Sequence, residues 1–181
     1  MQINIFSYKF PAPIGNIGIA ESGGKIIRVI FNAAMGDIKN DEFLHKCFNK
    51  PQYAGYTPVA QASEYTDGAA SQFDMYLEGR KAAFDLLYSY GDCGFAGKVY
   101  NELLNIPAGQ VRSYREIAEV CGSPKACRAV GMVNRNNPIP FFIPCHRVIG
   151  SDGSLTGYAG GLPMKRYLLD LEKKYYAKTA V

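Results

Sequence analysis

The sequence predicts a small α/β domain over residues 1–90 and a mostly helical domain over residues 91–181 that contains a helix-turn-helix. Three observations carry this reading. Residues 1–31 are rich in β-formers interrupted by turn residues. Gly91, Gly94 and Gly97 then punctuate the chain, and the domain boundary is placed there. Beyond them, apolar residues recur at helical spacing between start and stop signals. A chain of 181 residues and 19.9 kDa fits one domain or two small ones.

Ile3 to Phe10 alternates like a strand and is stopped by Pro11, Pro13 and Gly15. Asn16–Ala20 and Lys25–Phe31 flank Gly23-Gly24, a hairpin signal. Asp41–Phe48 reads as a short helix, Val59–Leu77 as helical despite Gly68, and Ala82–Tyr88 as one more strand. Lys98–Asn105 places Val99, Leu103 and Ile106 on one face, and Pro107-Ala108-Gly109 ends it. Ser113-Tyr114-Arg115-Glu116 has the capping-box pattern, in which Ser and Glu side chains satisfy free amide groups. That helix runs to about Cys121, and Gly122 turns the chain. Ser123 is expected to cap the next helix, with Pro124 in its first position. Ala126, Ala129, Val130 and Val133 form its apolar face, and Lys125, Arg128, Gly131 and Arg135 the opposite one. A last helix begins near Pro163 and runs through Leu168, Leu169 and Leu171. The pair across residues 113–135 is a candidate helix-turn-helix, with its basic, small-residue face free to lie against DNA. An ordinary helical hairpin with a solvated basic face is the competing reading.

With 48% apolar and 20% charged residues, the composition is that of a soluble folded protein rather than a disordered one. No apolar stretch approaches the roughly 20 residues of a membrane span. Met1 to Phe10 lacks the pattern of a signal peptide, so the five cysteines are expected as reduced thiols. The expected location is cytoplasmic in a prokaryote, or nuclear in a eukaryote. The net charge of +4 is unevenly placed. Residues 1–90 hold 8 Lys and Arg against 9 Asp and Glu, a balance of −1; residues 91–181 hold 12 against 7, a balance of +5. Such asymmetry points toward a polyanion partner.

The sharpest chemical feature is Ile143-Pro144-Cys145-His146-Arg147-Val148. A free cysteine, with a pKa of about 8.5, is only a few per cent thiolate at neutral pH. A nucleophilic cysteine therefore needs a base or a positive field beside it. His146 is adjacent, and Arg147 adds charge. Sequence neighbours often point apart, so His146 is expected to act through a bridging water.

This motif resembles the active-site signature of the methylated-DNA–protein-cysteine methyltransferase family, the O6-alkylguanine-DNA alkyltransferases. Five fixed positions recur by chance in a chain this long at roughly one in 10⁴ or rarer. The likeness extends through Ile106-Pro107-Ala108-Gly109, Ser113-Tyr114, Ile117-Ala118, Gly122, Pro124, Ala126, Arg128-Ala129-Val130-Gly131 and Asn137-Pro138. Downstream it includes Gly153, Leu155, Gly157-Tyr158, Gly160-Gly161, Lys165, Leu168-Leu169 and Glu172. It is dense over residues 95–172 and only general over 1–90. The resemblance implies a ribonuclease-H-like N-terminal domain that braces a winged-helix-like, DNA-binding and alkyl-accepting C-terminal domain.

It also implies roles by position. Cys145 would accept the alkyl group from guanine O6 in one in-line displacement, irreversibly and once per chain. His146 would draw the thiol proton through a water, and Glu172 would orient the imidazole. Tyr114 would donate to guanine N3 as the base leaves. The target lies inside a duplex, so the base must be flipped out. Arg128 would fill the vacated stack from the minor groove, and Gly131 would permit close approach. Asn137 would tie the turn that positions Cys145. Pro140, Val148, Tyr158 and Ala159 would wall the pocket. Arg115, Ser123 and Ser151 match positions that touch DNA. The implied partner is double-stranded DNA bearing O6-alkylguanine, and less efficiently O4-alkylthymine, bound by a monomer without cofactor or membrane.

Departures from the family pattern also bear on the reading. Ala159 lacks the hydroxyl that some relatives carry, and Cys127 stands where small residues are usual. Some relatives hold zinc in the N-terminal domain with two cysteines and two histidines. Here residues 1–90 offer only His45 and Cys47, so no zinc is expected. A non-catalytic, lesion-sensing DNA-binding protein of the same fold is the alternative. That branch has tryptophan in place of the cysteine, whereas this chain has no tryptophan and retains Cys145. A cysteine hydrolase lacks support from any oxyanion-hole motif and leaves the helix pair unexplained.

Overall fold

The computed structural model describes residues 1–90 and 94–177. They form two units: residues 1–75 with 84–90, and residues 76–83 with 94–177. The boundary expected after residue 90 falls at residues 91–93, outside the described residues.

The first unit is a mixed sheet with helices. Strands β1 (Gln2–Phe10), β2 (Gly15–Ser22), β3 (Lys25–Phe31) and β4 (Thr57–Ala60) lie in the order β3-β2-β1-β4. β1 runs antiparallel to β2 and parallel to β4. Gly23 and Gly24, at φ +58° and +77°, make the tight turn between β2 and β3, since a hairpin turn of this type needs positive φ at both central residues. Ile3, Ile5, Ala20 and Ile27 pack with Ile38 of α1 (Met35–Ile38) and Leu44 of α2 (Asp41–Cys47).

Two sequence expectations are corrected in this unit. Val59–Leu77 is not one helix: β4 ends at Ala60, and α3 spans Glu64–Leu77. Ser63 sets that start, exchanging side-chain hydrogen bonds with Thr66. Ala82–Tyr88 is not a strand; only Tyr88 bridges to Ile26. The segment is held there by two backbone bonds, from Ile26 N–H to Leu87 O and from Ser89 N–H to Ile26 O.

The second unit is mostly helical. In α4 (Phe95–Leu104), Val99 and Leu103 are fully buried, joined by Ile106 just beyond. Burial stabilises each by about 1.5–3 kcal/mol. Gly109 follows at φ +82°, where an added Cβ would come within 2.8 Å of the Ala177 backbone nitrogen. Gly109→Ala should therefore cost about 1–3 kcal/mol in urea denaturation. A loss too small to measure would contradict this account.

Strand β5 (Arg112–Ser113) pairs in parallel with β6 (Val148–Ile149). Ser113 caps α5 (Tyr114–Val120) through the expected box: its hydroxyl accepts from Glu116 N–H at 3.1 Å, and Glu116 accepts from Ser113 N–H at 2.6 Å. α6 (Cys127–Arg135) begins later than expected, and Ser123 does not cap it. Ser123–Ala126 forms a separate turn closed by Ala126 N–H to Ser123 O; proline's fixed φ suits a turn as well as a first helical position. The buried positions of α6 are Val130 and Asn134, while Ala129 faces solvent. Alanine carries little hydrophobic weight, so the periodicity misplaced this face. α7 spans Leu162–Tyr175, with Pro163 in its first turn. No helix among the described residues is long and apolar enough to cross a membrane.

Candidate active site

Cys145 opens a short 3₁₀ turn, Cys145–Arg147, that leads into β6. The approach to it is tightly tied. Asn137 donates from Nδ2 to Ile143 O at 2.8 Å and accepts from Ile139 N–H at 3.0 Å. Within this loop Phe141 is buried in the left-handed region at φ +73°, costly for a bulky residue and sustained by its surroundings. Pro144 makes a three-residue turn closed by Cys145 N–H to Ile143 O at 2.8 Å. The sulfur side chain is 5% exposed. Burial pushes the Cys145 thiol up to about 11, opposed by a hydrogen bond with Asn137 and the Lys165 ammonium. At neutral pH the resting group is a thiol, and its use as a nucleophile requires a base.

The next residue, His146, is the candidate base. His146 and Glu172 are both fully buried, with His146 Nε2 2.9 Å from Glu172 Oε1. Burial lowers the His146 pKa against the pull of Glu172, so the ring is neutral at pH 7. Burial pushes Glu172 up, but His146 and the Arg147 guanidinium outweigh it and hold the carboxyl far below its usual range. An ionised carboxylate only accepts, so Nε2 carries the imidazole proton. Nδ1 is then the open acceptor, without a hydrogen-bond partner among the described residues. This is the protonation state a proton-accepting histidine needs.

Glu172 is also bound by residues that the sequence did not reveal. Arg147 donates from Nη2 at 2.7 Å and from Nε at 3.0 Å, and Gly109 N–H donates at 2.9 Å. Arg147 is 6% exposed. Its charge was expected to act beside the cysteine; instead it is a buried partner of Glu172. Tyr76, at the end of α3, donates its hydroxyl to Glu172 Oε1 at 2.7 Å. Lys165, fully buried in α7, donates to Val148 O at 2.6 Å and Thr156 O at 2.9 Å. It thereby fastens β6 to the following loop, with its ammonium 5.9 Å from the Tyr114 ring centre.

The other sequence candidates fall into groups. Tyr114, Arg128 and Gly131 line one cleft of about 370 Å³ with Cys127, Thr156 and Gly157. The nearest atom to an added Gly131 Cβ is Tyr114 Cε1, at 3.9 Å. Arg115 and Ser151 line a second groove of about 420 Å³ with Arg112 and Ser113. Ser123 lines neither. Pro140 and Val148 are buried, and Ala159 is exposed. The Tyr158 ring stands edge-on to His146, 6.4 Å between centres. Among the described residues, no group of three or more His, Cys, Asp or Glu side chains is placed to hold a metal ion.

Fold and site together define a class: a helix pair with an exposed basic face, carried beside a buried cysteine whose neighbouring histidine is oriented by a carboxylate. The family model for the DNA-binding domain of 6-O-methylguanine DNA methyltransferase matches residues 94–174. A methylated-DNA–protein-cysteine methyltransferase of Methanosarcina barkeri is 50% identical over 105 residues, 58% of this chain and 66% of its own length. One from Mycobacterium bovis is 49% identical over 124 residues, 68% of this chain and 73% of its own. Mycobacterium tuberculosis OGT, solved in complex with DNA, is similar at a TM-score of 0.74 and 34% identity, over 97% of this chain and 94% of that one. The chain belongs to the methylated-DNA–protein-cysteine methyltransferase family.

Proposed function

We propose that this protein repairs DNA by moving the alkyl group of O6-alkylguanine, and less efficiently of O4-alkylthymine, onto its own Cys145. The observation that carries this reading is the neutral His146, its Nε2–H fixed on Glu172 and its Nδ1 open, next in sequence to a thiol too weakly acidic to ionise unaided. His146 takes the Cys145 proton through a water as the sulfur attacks the alkyl carbon. The carbon–O6 bond breaks in the same step, leaving a thioether on Cys145. The guanine anion is a poor leaving group, and Tyr114 donates to its N3 as it departs. Asn137 holds the turn that presents Cys145. The thioether has no leaving route, so each molecule acts once, without cofactor.

The target base is unstacked into the site before reaction. Arg128, exposed on α6 at the rim of the cleft, fills the gap from the minor groove, and Gly131 lets the strand pass. Arg115, Ser123 and Ser151 touch the DNA backbone. Pro140, Val148, Tyr158 and Ala159 wall the pocket. The protein acts as a monomer in a reducing compartment, cytoplasmic in a prokaryote. The C-terminal part, winged-helix-like, binds DNA and accepts the alkyl group; the N-terminal part, ribonuclease-H-like, braces it.

The test is transfer of label from an oligonucleotide carrying radiolabelled O6-methylguanine. No label on the wild-type protein defeats the proposal in favour of a non-catalytic lesion sensor. Two variants test the roles. Tyr114→Phe should slow transfer by about tenfold or more while binding changes less; a defect confined to binding contradicts the proton-donor role. Arg128→Ala should weaken repair of duplex DNA on the order of tenfold to hundredfold, because flipping costs a few kcal/mol, and affect the free base less. Equal losses on both substrates contradict the flipping role.

A further inference from the structure

Tyr76 lies outside residues 94–174, which the family model matches, and no step above uses it. Its side chain is 1% exposed. The hydroxyl is 2.7 Å from Glu172 Oε1 and 3.5 Å from His146 Nε2. The ring stacks on Tyr176 with centres 5.8 Å apart, and Tyr176 returns a hydrogen bond to the Tyr76 carbonyl at 2.7 Å. Ring, backbone and hydroxyl are all held, so the position of the O–H is set by packing and not by chance rotation.

We propose that Tyr76 is a positioning residue that keeps His146 neutral and correctly oriented for proton abstraction. The proposal rests on the reading of His146 as the base. Oε1 accepts from Tyr76 and from His146 Nε2–H together. Two donors on one oxygen divide its electron density, so the Tyr76 hydrogen bond makes Oε1 a weaker partner for an imidazolium. Without it, Glu172 would draw a second proton onto His146 more strongly, and less of the ring would stay available as a base near neutral pH. The donor also restricts the carboxylate to the orientation that keeps Nε2 engaged and Nδ1 open.

The other groups around His146 are fixed in sign. Arg147 and Lys165 carry positive charge and oppose imidazolium formation. Glu172 favours it, Tyr158 presents a neutral ring edge, and Cys145 is the proton's source. Against this background the Tyr76 hydroxyl is a removable donor whose loss leaves every formal charge in place.

The test is Tyr76→Phe, which keeps the ring and its stacking on Tyr176. His146 imidazole nitrogen resonances are titrated by NMR in both proteins, beside pH profiles of methyl transfer. The His146 midpoint is expected to rise by about half a unit to one unit, a fraction of the full strength of a hydrogen bond to a charged group. The acid limb of transfer should move up with it, while the high-pH plateau changes by less than about threefold. A purely structural role would lower thermal stability and leave the midpoint where it was, and an unmoved midpoint overturns the proposal. A shifted midpoint with an unmoved acid limb upholds Tyr76 as the group that tunes His146 and defeats the assignment of His146 as the base. In the Glu172→Gln background, where the negative charge that draws the second proton is gone, Tyr76→Phe should produce a markedly smaller shift than in the wild type; a full shift there overturns the proposal, because the route through Glu172 would be wrong.

Discussion

Cys145→Ala should transfer no label from O6-methylguanine DNA, while the wild-type protein should stop at about one methyl group per chain. Burial with a pKa pushed up to about 11 means the unassisted thiol is ionised to a negligible degree at pH 7. On the proposed mechanism, reaction depends on proton removal by His146 at the moment of attack. Once the thioether forms, no proton and no negative charge remain on sulfur, and no neighbouring group can expel it. A second thiol makes the prediction specific. Cys127 lines the cleft with Tyr114 and Arg128, and Cys121 and Cys47 are also free. None is followed by a histidine held on a carboxylate. Peptide mapping after a single exposure should place all label on Cys145. Label on Cys127, or transfer that survives Cys145→Ala, would overturn the mechanism.

Parts of this site were legible in the sequence because their determinants are local. Ser113 and Glu116 are three residues apart, and the hydrogen bonds of a capping box close within that span. The Cys145–His146 neighbourhood was legible for the same reason, and the resemblance supplied Glu172. What local patterns could not supply was which side chains a distant carboxylate would attract. Tyr76 is 96 residues from Glu172 in sequence, inside a helix whose periodicity reports only that the position is buried. Arg147 reads as a surface charge by residue type, yet its stem and head are enclosed because Glu172 and the Ile106 carbonyl accept from it. In α6 the weak preference of alanine let the predicted face rotate, and Asn134 proved to be inside where Ala129 had been placed. The Ser123-Pro124 pair carried a true signal for a change of direction, but a turn and a helix start share that signal.

Glu172→Gln should be among the most damaging single changes to stability as well as to transfer. The carboxylate accepts from His146, Tyr76, Arg147 and Gly109 at once. Glutamine keeps one acceptor oxygen and replaces the other with an NH₂ group, which faces donors with another donor. Arg147 is then a buried cation without its counter-ion, and breaking such a pair costs about 3–5 kcal/mol out of a total stability of about 5–15 kcal/mol. The pH dependence separates this cause from a simple packing defect. Glu172 is held far below its usual range in the folded chain, so its contribution is complete above the unfolded carboxylate pKa of about 4.3. It is lost as pH falls from there through the depressed folded value, because the wild-type carboxyl then also becomes neutral and Arg147 loses its partner in both proteins. Urea denaturation should therefore show a large gap between wild type and variant at pH 7 that narrows steadily below about pH 4. A gap of constant size across that range, or one under about 1 kcal/mol at pH 7, would mean that the charge on Glu172 does not hold this site together.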